Sequence, residues 1–181
     1  LIVATKLSLP TNAYEVFSVG FNGALSANPK VTASANPLPF SFVFDAAGNV
    51  VATEAGASAV TTYRVNNDGS LTELGTAPDG QTALCWISGA DGYFFGSNAG
   101  SGNVSTFTEN SSGAPVLVSA TPTPAHAGTT DSVVSPDGHF LYVESGGAGT
   151  IDAFAIGSGG TLTPIETLFN IPLASEGLAI S

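Results

Sequence analysis

The chain has 181 residues, a formal net charge of −11 and only 9% charged residues, and its three fixed cations are Lys6, Lys30 and Arg64. So few cations exclude a surface that holds the phosphate backbone of nucleic acid or an anionic membrane. No apolar run approaches the 18 or more residues of a membrane-spanning helix. We therefore expect neither nucleic acid nor membrane as a partner.

The composition favours strands and turns, because Gly is abundant, at 22 residues, and Val, Thr, Ser and Phe replace most Lys and Glu. The single cysteine, Cys85, excludes an intrachain disulfide and is interpreted as a small buried thiol. Acidity and the acceptor sequons at Asn103 and Asn110 favour a secreted or extracytoplasmic protein, with a cytoplasmic location left open. The absence of methionine indicates a processed or partial chain.

The first segment, residues 1–38, contains three predicted strands at 1–6, 13–19 and 25–33. An Asn22-Gly23 hairpin joins the second strand to the third. These three strands correspond to the second, third and fourth strands of the four-stranded unit that follows, which are called B, C and D below.

That unit repeats three times. Turns that begin at Asp45, Asp91 and Asp137 are spaced 46 residues apart. Each turn joins an apolar strand A to an apolar strand B, and a small-residue loop leads to an alternating strand C and a hairpin into strand D. The last residues, 173–181, match a further strand A. Repetition at this period is typical of propeller blades.

We predict an all-β propeller of four-stranded antiparallel blades in a single domain. The predicted ranges are a partial blade at 1–38, complete blades at 39–80, 81–128 and 129–172, and a closing strand at 173–181. A sandwich is the alternative fold, but sandwiches rarely repeat one unit so evenly. The sequence leaves open a closed four-bladed ring and one half of a larger ring.

Several strands resemble successive blades of the seven-bladed lactonase propellers, the family of propeller-type 6-phosphogluconolactonase and carboxymuconate cyclase. The resemblance covers nearly all of the chain and includes the segments 39–45, 85–87, 97–102 and 135–143. It implies that the chain corresponds to the C-terminal half of such a ring. A second chain or an N-terminal half would then complete the ring.

Antiparallel strands A and B bring the start of A and the end of B to one mouth of the channel. This places carboxylates, one histidine and one lysine together, the groups that lactone hydrolysis needs for proton transfer and for the oxyanion. The candidate catalytic residues are His126 and Glu54 as acid or base, Lys6 as oxyanion partner, and Asp131 and Glu144 as orienting groups.

We expect a lactonase-like enzyme that hydrolyses or forms a small lactone, or a carbohydrate-derived acid, without cofactor or metal. The scarcity of basic side chains makes a phosphorylated lactone a poor fit. The alternative is a non-catalytic secreted or surface propeller that serves as a binding or structural module.

Overall fold

The computed structural model describes residues 2–6, 12–119 and 123–181, with side chains described from residue 12 onward. Its strands form four antiparallel sheets. The first sheet contains β1 (Ile2–Lys6), β2 (Ala13–Phe17) and β3 (Lys30–Ala33). The second contains β4 (Pro39–Phe44), β5 (Val50–Glu54), β6 (Ala59–Val65) and β7 (Leu71–Pro78). The third contains β8 (Leu84–Ala90), β9 (Tyr93–Asn98), β10 (Asn103–Glu109), β11 (Pro115–Leu117) and β12 (Thr123–Pro124). The fourth contains β13 (Asp131–Val134), β14 (Phe140–Ser145), β15 (Thr150–Ile156) and β16 (Leu162–Phe169).

Neighbouring strands in each sheet follow one another in the sequence. The orders are β1-β2-β3, β4-β5-β6-β7, β8-β9-β10-β11 and β13-β14-β15-β16, and β12 also pairs with β10. This up-and-down order in successive antiparallel sheets is that of propeller blades, which confirms the predicted fold class. Helical structure in the described residues is a 3₁₀ turn at Ser158–Gly160. None of the described segments forms a helix with the length and apolarity needed to cross a membrane.

The repeated turns between strands A and B depend on local backbone chemistry. Gly48, Gly92 and Gly138 have φ angles of 83°, 79° and 75°, a region that glycine enters without steric cost. In the first of these turns, the Asp45 carboxylate accepts hydrogen bonds from the backbone N–H groups of Ala47 and Asn49. The Asp and Gly residues that revealed the repeat are therefore the residues that close the turn.

Three apolar clusters hold the four sheets in sequence. The first joins β2 to the second sheet through Tyr14, Val16 and Tyr63. The second joins the second and third sheets, and the third joins the third and fourth sheets through Phe95, Leu141 and Phe154. Each blade therefore packs face to face on the next, as alternating strands with apolar residues on both faces require.

In the part of the chain that the structure describes, the first and fourth sheets do not pack on each other to close a ring. Among the described side chains, no buried apolar cluster joins the fourth sheet to the first. Val31 on β3 is 55% exposed and Leu168 on β16 is 56% exposed. The structure therefore resembles part of a larger ring rather than a closed four-bladed one.

Two segments differ from the predicted strands. The third strand of the first sheet begins at Lys30 instead of residue 25, because Val19 and Leu25 form an isolated bridge and residues 18–26 turn back on themselves. Residues 173–181, predicted to form the closing strand, do not form a β-strand. A strand needs a ladder partner, and this segment instead lies beside Val133, Tyr142 and Ile151, where it lines a cavity of about 170 Å³.

Candidate active site

Two carboxylates meet where strand A of the fourth sheet begins and strand B ends, the end predicted to lie at the channel mouth. Asp131 begins β13, Glu144 lies one residue before the end of β14, and the two residues are direct cross-strand partners. Cross-strand partners project their side chains from the same face of a sheet. This end of the fourth sheet therefore carries a pair of neighbouring acids, while their catalytic role at a channel mouth stays a prediction.

Glu144 is the more unusual member of this pair. Its side chain is nearly buried, with 3% of the residue exposed, and its Oε2 atom has no hydrogen-bond partner. Burial raises the pKa of this carboxyl, and the negative charges of Asp131 and Glu176 raise it further, while the backbone N–H of Gly177 acts in the opposite direction. A buried carboxyl with a free oxygen and a raised pKa is a candidate for proton transfer.

The C-terminal segment holds the second acid in place. The Oδ2 atom of Asp131 accepts a hydrogen bond of 2.6 Å from the backbone N–H of Leu178. The same segment is fixed by Thr130, whose hydroxyl donates to the Ser175 carbonyl oxygen at 2.8 Å, and by a bond from the Ala174 N–H to the Gly146 carbonyl oxygen. Residues 174–178 therefore form one wall beside the paired carboxylates.

Glu54 is not exposed at this mouth. It is fully buried between the first and second sheets, at 0% exposure. Its carboxyl accepts hydrogen bonds from the side chains of five residues: Ser34, Asn36 at 2.7 Å, Thr61 at 2.6 Å, Tyr63 at 2.7 Å and Tyr14 at 3.5 Å. These donors surround the carboxyl and join the connecting segment at 34–36 to the second sheet. The geometry gives Glu54 a structural role, and its acid–base role stays a prediction.

Two tyrosines complete the environment of Glu54. The rings of Tyr14 and Tyr63 lie 5.0 Å apart, and burial raises the pKa of both phenols far above its ordinary value. The Glu54 charge acts on both phenols in the same direction. Both phenols therefore stay protonated and serve as hydrogen-bond donors, with Tyr63 donating to Glu54 and also accepting the Ala35 N–H at 2.8 Å.

His126 forms a pair with Asp152, a residue that the sequence did not single out. The His126 Nδ1 atom lies 2.9 Å from both carboxylate oxygens of Asp152, and the His126 backbone N–H donates to the same carboxylate. The pair lines a cavity of about 260 Å³ formed with residues 164–167, and Asp131 and Glu144 do not belong to that lining. The structure thus places His126 in a groove between the third and fourth blades.

The corresponding end of the third sheet carries amides instead of acids, and the last candidate, Lys6, lies in the first sheet. Asn98 is buried and donates hydrogen bonds to Asn103 and Ser105, while Gln81 accepts one from Asn103. The backbone of Lys6 ends β1, but its side chain lies outside the described part of the chain, so its role as oxyanion partner stays a prediction. Among the described residues, no group of three or more His, Cys, Asp or Glu side chains is placed to hold a metal ion.

A separate acidic pair lies at the opposite end of the sheets. Glu109 at the end of β10 and Asp45 line a cavity of about 420 Å³, and Thr62 donates to Glu109 at 3.2 Å. Burial and the neighbouring Asp45 raise the pKa of Glu109 to about 7. Because an unfolded glutamate loses its proton near pH 4.5, the unfolded state binds fewer protons between these values and stability falls as pH rises through them.

We expect Glu109→Gln to remove this pH dependence. Between pH 5 and pH 8 the wild-type chain should lose about 1 kcal/mol more of its free energy of unfolding than the variant, after allowance for solvent screening of a partly exposed group. Urea unfolding at both pH values measures the difference. Equal losses in the two proteins would contradict the raised pKa of Glu109.

Comparison with models of protein families finds no match, and no curated protein matches the chain. Solved structures do match. A protein from Lactobacillus plantarum is 21% identical with a TM-score of 0.73, over 87% of this chain and 51% of its own. A candidate 6-phosphogluconolactonase from Bacteroides uniformis is 16% identical with a TM-score of 0.76, over 92% and 52%. The periplasmic gluconolactonase PpgL of Pseudomonas aeruginosa is 14% identical with a TM-score of 0.61, over 98% and 69%.

These TM-scores establish the fold, a β-propeller. The chain spans about half the length of the first two structures. That proportion agrees with an open arc of blades whose two outer faces are exposed.

Proposed function

We propose that the chain hydrolyses a small sugar-derived lactone at the channel mouth, with Glu144 as the proton-transferring carboxyl and Asp131 as its neighbour. The observation that carries this proposal is the unpartnered Oε2 atom of the buried Glu144 carboxyl. Support from the comparisons is that two of the similar structures are named as a candidate 6-phosphogluconolactonase and a gluconolactonase. Their low identity gives no assignment of residues.

The chemistry requires one proton to move twice. Ionised Glu144 takes a proton from a water molecule, and the hydroxide oxygen forms a bond to the lactone carbonyl carbon. The tetrahedral intermediate then breaks the ring C–O bond, and the departing alkoxide takes the proton from Glu144. Burial and the neighbouring charges raise the pKa of Glu144, which strengthens it as a base once ionised. We propose Lys6 as the donor to the carbonyl oxygen and Asp131 as the group that orients the substrate hydroxyls.

The charge of the mouth favours an uncharged lactone. Asp131 and Glu144 meet there, and Glu176 adds a third negative charge that acts on Glu144. Of the cations with described side chains, Lys30 pairs with Asp68 at 3.4 Å and Arg64 lies exposed on β6, so neither belongs to this group of acids. Carboxylates accept hydrogen bonds from sugar hydroxyls but repel a phosphate group.

The test is the opening of glucono-1,5-lactone and of its 6-phosphate, followed by the acid released at constant pH. We expect the wild-type chain to accelerate the neutral lactone above the spontaneous rate, with kcat/KM at least about tenfold higher than for the phosphate, since a like charge at the mouth costs at least about 1.4 kcal/mol. Preference for the phosphate would overturn the substrate class. An unaccelerated reaction with both compounds would overturn the proposed function.

We further infer that additional blades, from a second chain or an N-terminal half, complete the ring in the active species. The exposed faces of the first and fourth sheets and the coverage of about half of similar chains support this inference. The native mass of the assayed sample should therefore be about twice the 18.0 kDa of the chain. A monomeric mass in a sample that opens the lactone would contradict the need for added blades.

A binding or structural module without catalysis is the second candidate function, and exposed apolar side chains on the outer edge of the fourth sheet favour it. They are Ile165, Leu168, Phe169 and Leu173, each 54–73% exposed. Large exposed apolar patches mark interaction surfaces. The periplasmic location in the name of one similar structure and the acceptor sequon at the exposed Asn110 support an extracytoplasmic setting for either function.

A further inference from the structure

A polar contact from strand C ties the third blade, and again the fourth, to the segment that precedes it. In both blades the third residue of strand C makes this contact, whereas the equivalent residue of β6 donates to Glu54 of its own blade. These residues are Thr61 in β6, Ser105 in β10 and Asp152 in β15. Ser105 donates to Asp79 in the connecting segment at 2.8 Å, whereas Asp152 accepts from His126. The two contacts therefore differ in the group that faces the carboxylate, a hydroxyl in one and an imidazole in the other.

The third junction adds a titratable imidazole to this contact. Asp152 accepts hydrogen bonds from the His126 backbone N–H at 2.9 Å and from the Thr167 hydroxyl at 2.7 Å. A carboxylate only accepts, so His126 Nδ1 must carry the proton that it shares with Asp152. In a neutral ring this leaves the lone pair on Nε2.

The surroundings expose the imidazole but not the carboxylate. The His126 side chain is 40% exposed, while that of Asp152 is only 6% exposed. The Phe169 ring meets the imidazole edge to face, with centroids 5.9 Å apart. The groove of about 260 Å³ is lined mainly by apolar groups from Ala125, Phe154 and Pro164, with Glu166 at its edge.

We propose that His126 and Asp152 form a general-base pair that hydrolyses small, uncharged carboxylic esters bound in this groove, a reaction centre separate from the channel mouth. The Nε2 atom takes a proton from water, and the hydroxide oxygen bonds to the ester carbonyl carbon. The C–O bond to the alcohol then breaks, and the alkoxide takes the proton from Nε2. Asp152 stays ionised and fixes the tautomer, which makes it a positioning residue.

The test uses 4-nitrophenyl acetate as the probe and asparagine as the replacement. The side-chain amide of His126→Asn can donate to Asp152 in place of Nδ1, so the contact between blades is kept while the Nε2 base is removed. We expect kcat/KM to fall about 100-fold, which is within the usual contribution of a general base. Added imidazole should restore part of the rate. A His126→Asn variant with the wild-type rate would overturn the proposal.

The chain supplies its own matched control. His139 also pairs with an aspartate, Asp137, at 3.3 Å, but both side chains are well exposed, at 71% and 57%. His139→Asn should change the rate less than twofold. Asp152→Asn should lower kcat about tenfold with little change in KM, as expected of a residue that orients the base. Equal losses of ester cleavage in the His126 and His139 variants would mean that any exposed imidazole accounts for the activity. That result would overturn the assignment of the reaction to His126 and Asp152.

Two further measurements distinguish loss of the His126 base from loss of the fold, and ester cleavage in the groove from lactone opening at the channel mouth. Carbethoxylation of wild-type histidines, mapped by peptide mass, should abolish ester cleavage in step with modification of His126 and not of His139. Glu144→Gln should leave ester cleavage unchanged, and His139→Asn should leave opening of the neutral lactone unchanged. Loss of ester cleavage in Glu144→Gln would contradict two separate centres.

Discussion

Replacing Glu54 with alanine is expected to lower the free energy of unfolding by about 3–5 kcal/mol, the cost of breaking a buried polar network. The carboxyl is fully buried and accepts from Asn36, Thr61 and Tyr63, among others. Its removal leaves these donors without partners in a site that water does not reach. The first sheet and the connecting segment at 34–36 should lose their attachment to the second sheet.

Urea unfolding followed by tyrosine and tryptophan fluorescence measures this loss, with Glu73→Ala as the matched control. Glu73 is exposed on β7, so its truncation should change the free energy of unfolding by no more than about 0.5 kcal/mol. Glu54→Gln keeps one acceptor oxygen and should have an intermediate effect. If Glu54→Ala unfolds like the Glu73 variant, the network does not join the two blades.

The parts of the fold that could be predicted from the sequence are those fixed by local chemistry. The turns at Asp45, Asp91 and Asp137 require glycine at a positive φ, and the same requirement repeats in every blade. Strand alternation then gives the four strands of each unit. The strand predicted at 173–181 was assigned by the same pattern, but a strand also requires a partner that pattern alone does not supply.

The candidate site was only partly predictable from the sequence. The repeat gives the position of a residue along its strand, but it does not show which other segments pack over its side chain. Asp131 and Glu144 meet because a register of adjacent antiparallel strands pairs them. Glu54 ends an equivalent strand, yet Ser34 and Asn36 from the connecting segment cover it. Side-chain contacts of an irregular connecting segment have no periodicity to reveal them.

Asp152 could have been found from the sequence by aligning the repeats. It is the third residue of its strand C, the position of Thr61 and Ser105 in the two preceding blades. A carboxylate in place of two hydroxyl residues, on an otherwise buried face, indicates a partner that donates hydrogen bonds. His126, in the connecting segment just before that blade, was the available donor.

Replacing Glu144 with glutamine is expected to abolish most of the lactone-opening activity while keeping the fold. The amide has the shape of the carboxyl but takes no proton from water, so kcat should fall about 100-fold or more. Stability should not decrease, because the substitution removes a buried carboxyl whose pKa is raised by burial and by Asp131. As pH rises above the ordinary range of a glutamate, the wild-type protein should lose stability that the variant retains.

The measurement that bears most directly on the proposed function is the rate at which glucono-1,5-lactone opens with the wild-type chain and with Glu144→Gln at equal folded concentration. His139→Asn serves as the control, because His139 is well exposed and pairs with Asp137. We predict that the wild-type protein and the His139 variant accelerate the reaction equally, and that the Glu144 variant keeps at most a few per cent of the wild-type acceleration. Full activity in Glu144→Gln would contradict a lactone site at the paired carboxylates.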